Sequence, residues 1–70
     1  MSRMKDRAIN KLHPGYRVDE WSRIFNDWAE AYRVLNIEDA ISWGNVLFDQ
    51  HISARIVDMK TGRIPWEVNL

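Results

Sequence analysis

The sequence predicts a small α+β domain: three short helices at about residues 3–12, 19–35 and 38–51, followed by a β-hairpin at about 54–59 and 63–68. Three observations predict it. Apolar residues recur at spacings of three and four through the first fifty positions, the period of a helix with one buried side. After His51 the period changes, and the runs ARIVD and RIPWEV, separated by MKTG, have the branched and aromatic content of strands around a turn. Finally, 70 residues without cysteine form one domain at most, and such a domain draws stability from packing, here by four Trp, two Tyr and two Phe.

The first segment, SRMKDRAINKL, sets Met4, Ala8, Ile9 and Leu12 at helical spacing among basic residues. It is expected to stop near Leu12, because the residue before a proline is pushed out of the helical region and His13-Pro14-Gly15 suits a turn. The second segment has the clearest pattern. Val18, Trp21, Phe25, Trp28, Tyr32 and Leu35 follow spacings of three, four, three, four and three, with charged residues between, so an amphipathic helix with an aromatic inner stripe is expected. Asp19 is its expected N-cap and i,i+4 partner of Arg23, and Asn36 its expected C-cap.

Asn36 also suits the start of the third helix, where Glu38 and Asp39 complement the positive end of the helix dipole. Ile37, Ala40, Ile41, Leu47, Phe48 and Ile52 form its expected inner face. Gly44 falls on that face, and since glycine costs about 1 kcal/mol against alanine within a helix, close approach of another helix is expected there. In the hairpin, Gly62 supplies the turn and Pro65, which has no amide hydrogen, confines its strand to an edge. A two-stranded ribbon leaves an open edge, which invites a third strand from a second copy or another protein.

The formal charge is zero, but residues 1–17 form a basic N-terminal segment with Arg3, Lys5, Arg7, Lys11 and Arg17 against Asp6 alone. The single domain thus has a basic end and an acidic body. No stretch approaches the length of a membrane span, and no secretory apolar run follows the first charges, so a cytoplasmic protein is expected.

Motifs for chemistry are absent. The glycines are scattered at 15, 44 and 62, no thiolate can act as nucleophile or ligand, and His13 and His51 lack ligand spacing, so neither catalysis nor a metal or other cofactor is expected. The expected function is a protein-protein interaction module, an adaptor or inhibitor that binds a larger partner, of a size that suits a bacterial or phage accessory protein. Trp43 lies off the inner face of the third helix, with Val46 on its side, and Trp43, Val46 and Trp66 are the expected apolar anchors. Asp27, Glu30, Glu38 and Asp39 are expected to steer a basic partner surface. Two alternatives stand beside this reading. One is nucleic-acid binding through Arg3, Lys5, Arg7 and Lys11 with Arg55, Lys60 and Arg63 on a wing-like hairpin, although the acidic third helix would repel phosphates. The other is a structural homo-oligomer formed by strand pairing. Interfacial helices are basic on their polar face, so the acidic second segment speaks against a membrane partner.

Overall fold

The computed structural model describes residues 14–70, and these form one helix and four antiparallel strands in a single sheet. In chain order they are β1 (Tyr16–Ser22), β2 (Asp27–Val34), α1 (Ile37–Asp49), β3 (Ala54–Asp58) and β4 (Trp66–Val68). The sheet order is β2-β1-β3-β4, so two hairpins lie side by side with β1 and β3 at the centre. The expected arrangement of three helices and a hairpin is therefore incorrect. Its helix at 19–35 is the hairpin of β1 and β2, and its helix at 3–12 lies outside the described residues.

The physical reason for the hairpin is visible in the register. Val18 pairs with Tyr32 while Asp19 pairs with Glu30, which leaves Ala31 as an extra residue, a β-bulge in β2. Ala31 and Tyr32 consequently both pack toward the core, and the alternation of the strand is broken into a spacing that imitates a helix. Around the turn, Ser22 Oγ accepts from the amide of Phe25 at 3.2 Å and Asn26 takes a left-handed conformation with φ 54°. Asparagine tolerates that region better than other side chains, which makes FND a turn. Asp19 is a strand residue bound to Arg17 and Arg55, and it caps no helix.

Alternation sends Tyr16 and Val18 of β1 toward α1, together with Ala54 and Ile56 of β3, Trp66 and Val68 of β4, and Tyr32 and Val34 of β2. α1 closes over this face with Ala40 and Leu47. Val18, Ala40, Leu47, Ala54 and Ile56 are buried, and each of the larger ones contributes about 1.5–3 kcal/mol by leaving water. Asn36 is the N-cap of α1, its side-chain oxygen accepting from the amide of Asp39 at 2.9 Å; with φ −125° it is extended, not the left-handed C-cap of a preceding helix.

Gly44 does mark a close approach, but by a strand residue. A Cβ at that position would sit 2.7 Å from Cη2 of Trp66 and closer still to Cζ3, so the indole occupies the space that glycine leaves. Gly15 meets a different need: its φ of 72° is left-handed, and a side chain there would run into the Val34 carbonyl. One edge of the expected ribbon is filled from within, because β3 pairs with β1 as well as with β4, while β4 lies at the edge of the sheet. β4 is short because Pro65 precedes it, and the β3–β4 turn is tied by the Asp58 carboxylate, which accepts from the Lys60 amide at 2.9 Å.

Candidate functional site

Residues at 39, 43 and 46 share one side of a helix, and in α1 these are Asp39, Trp43 and Val46. Trp43 lies flat on Tyr32 of β2, the ring centroids 4.2 Å apart and the planes 18° from parallel. The stack fixes an indole that is still 40 % exposed, next to Val46 at 39 %. Glu38 and Asp39 stand exposed in the first turn of the same helix. The result is a rigid apolar platform at the junction of helix and edge strand, bordered by carboxylates. A large ring whose rotamer is already locked loses little entropy on contact, which is why such residues carry binding energy.

The other expected anchors do not join it. Trp66 packs against Gly44 on the core side of α1, so it is a core residue and does not lie over Trp43. Glu30 is bound to Arg33 at 2.8 Å and pairs with Asp19, which sets it on the sheet face away from the helix. Asp27 stands at the start of β2, its carboxylate accepting from the Trp28 amide at 2.7 Å. The aromatic stripe expected to form one inner row is dispersed: Tyr32 faces the helix, Trp21 and Trp28 meet edge-to-face across the hairpin at 5.4 Å, and Phe25 stands in the turn.

The sheet face opposite α1 holds an arrangement that sequence reading missed. Asp19 is 1 % exposed, and its carboxylate accepts from Arg17 through Nε at 2.7 Å and Nη2 at 3.1 Å and from Arg55 Nε at 2.9 Å. Arg55 also lies over the Trp28 ring, 4.6 Å from its centroid. The signal was the alternation Arg17-Val18-Asp19, which on a strand puts both charges on one face. Of the residues in the nucleic-acid alternative, Arg55 is engaged in this cluster, Lys60 and Arg63 are exposed around the β3–β4 turn, and Arg3, Lys5, Arg7 and Lys11 lie outside the described residues.

His51, expected at the end of the third helix, follows the C-terminus of α1 with φ 63° and is exposed. Among the described residues, no group of three His, Asp or Glu side chains converges as metal ligands would, and no helix is long and apolar enough to cross a membrane. No family model, no curated protein and no solved structure matches the chain.

Proposed function

We propose that the chain is a non-catalytic protein-binding module, an adaptor or inhibitor, whose contact surface is the exposed side of α1. Trp43 and Val46 are the apolar anchors, and Glu38 and Asp39 attract a basic segment of the partner. The observation that supports this reading is the Tyr32–Trp43 stack, which holds a large ring in a fixed pose at the surface. Side-chain docking onto the helix is favoured over strand addition along β2, because the bulge at Ala31 interrupts the register that an added strand needs.

Selection from a displayed library of randomised peptides tests it. Peptides recovered on the wild-type protein should combine Lys or Arg with large aliphatic residues, and calorimetry should show binding that weakens with salt. Trp43→Ala should lower affinity roughly 30-fold or more, the effect of losing a hot spot. Because Trp43→Ala also removes the stack, Val46→Asp provides a second variant, and circular dichroism checks that both stay folded. Peptides that bind both folded variants as tightly as the wild type would refute the proposal.

A further inference from the structure

The β1–β2 hairpin is longer than the strand beside it. Pairing of β1 with β3 ends at Glu20–Ala54, and Trp21 makes one further bond, its amide donating to the Ser53 carbonyl at 2.9 Å. Beyond that point the hairpin projects as an arm, and its turn carries Ile24 at 90 % exposure and Phe25 at 76 %. The turn backbone is tied by the Ser22 hydroxyl, which accepts from the Phe25 amide at 3.2 Å, and Asp27 beside it accepts from the Trp28 amide at 2.7 Å. Ile24 and Phe25 are adjacent in this turn and together form an exposed apolar tip.

Between the arm and the segment joining α1 to β3 lies an open cleft of about 730 Å³. Trp21, Ile52 and Leu70 supply apolar wall, Glu20 supplies a carboxylate, and Ile24 and Arg23 of the arm itself form the near side. Knob and cleft are therefore neighbours on one end of the molecule. A surface that holds a projection beside a recess can close on itself under a two-fold axis, each copy filling the other's recess. Charge agrees with this: Arg23 rides on the arm and Glu20 lines the cleft, and among the described residues neither has an ion-pair partner in its own chain.

We infer that this end of the molecule is a homodimer interface, in which Phe25 of each copy enters the cleft beside Trp21 and Ile52 of the other while Arg23 meets Glu20. This inference is independent of the platform on α1. Phe25 offers an apolar area on the order of 100 Å², small beside the roughly 800 Å² per partner of stable complexes. The dimer is accordingly weak and depends on concentration.

Light scattering and sedimentation of the full chain test it between micromolar and millimolar protein. The mass should rise from 8.3 kDa toward twice that value. Phe25→Asp, a substitution at an exposed turn, should hold the mass at 8.3 kDa with an unchanged circular dichroism spectrum. Arg23→Glu should raise the dissociation constant about tenfold, and adding Glu20→Lys to it should restore dimerisation by exchanging the charges. A wild type that stays monomeric at millimolar concentration overturns the inference, as does a dimer that persists in Phe25→Asp or a charge exchange that restores nothing.

Discussion

Asp19 and Arg55 stand directly opposite each other on β1 and β3, and Arg55 Nε donates to the buried Asp19 carboxylate at 2.9 Å. Arg17 holds the same carboxylate from two positions along its own strand. One acid shared by two cations implies redundancy. Arg17→Met or Arg55→Met alone should cost about 1 kcal/mol, since the remaining guanidinium still neutralises the charge. The double variant should cost about 4 kcal/mol, because a buried carboxylate is then left without a cation. Urea midpoints for the four proteins of this cycle measure the coupling; additive costs would mean that water reaches Asp19.

The Trp21–Trp28 contact offers an optical check on the hairpin. Two indoles 5.4 Å apart with planes at 82° couple their excited states. A far-ultraviolet exciton couplet is expected in circular dichroism, and it should vanish in both Trp21→Phe and Trp28→Phe. Were residues 19–35 helical, Trp21 and Trp28 would stand two turns apart and the couplet would be absent.

Gly44→Ala sets helix propensity against packing. The alanine gains about 1 kcal/mol in the helix, but its methyl group collides with the Trp66 ring, and overpacking of this kind costs about 1–3 kcal/mol. Net destabilisation is expected in denaturant titration. Trp66→Leu added to Gly44→Ala should recover part of the loss, because the atoms in the way are those of the ring.

Asn36→Ala removes the side-chain oxygen that accepts from the Asp39 amide in the first turn of α1 and should lower stability by about 1 kcal/mol. Asn36→Asp should restore it, since a carboxylate accepts the same amide and suits the helix dipole. Thermal unfolding of the three proteins measures both changes.

The helix was legible in the sequence because its signals agree, Asn36 ahead of Glu38 and Asp39 and inner positions at 37, 40, 41, 44 and 47, but Phe48, expected on the same face, is exposed and Ile52 lies beyond the helix end. The hairpin of β1 and β2 was not, and the cause is local. A strand reads with a period of two, but the bulge turns Ala31 and Tyr32 to the same side, and the turn displaces Phe25 from either face. Trp21, Phe25, Trp28 and Tyr32 then fall at helical intervals while occupying three different environments. The overlooked signal was Asn26-Asp27 between two runs of branched and aromatic residues. Trp43 and Val46 could be picked out because they lie off the inner face of the helix. Trp66 could not be separated from them, since only the sheet order brings it to Gly44. In the Asp19 cluster the Arg17 half could be read from the alternation of β1, but Arg55 could not, since it is 36 positions away in the chain.

The central place of β1 has a kinetic consequence. Its bonds to β2 close across a four-residue turn, from Ser22 to Asp27, whereas its bonds to β3 wait for α1 to form and cross over. Short closures are fast and long ones slow, so the first hairpin is expected to form before β1 pairs with β3. Docking of β3 against β1 then pairs Ile56 with Val18 and brings Arg55 to Asp19 together, because the two contacts lie on neighbouring positions of one strand.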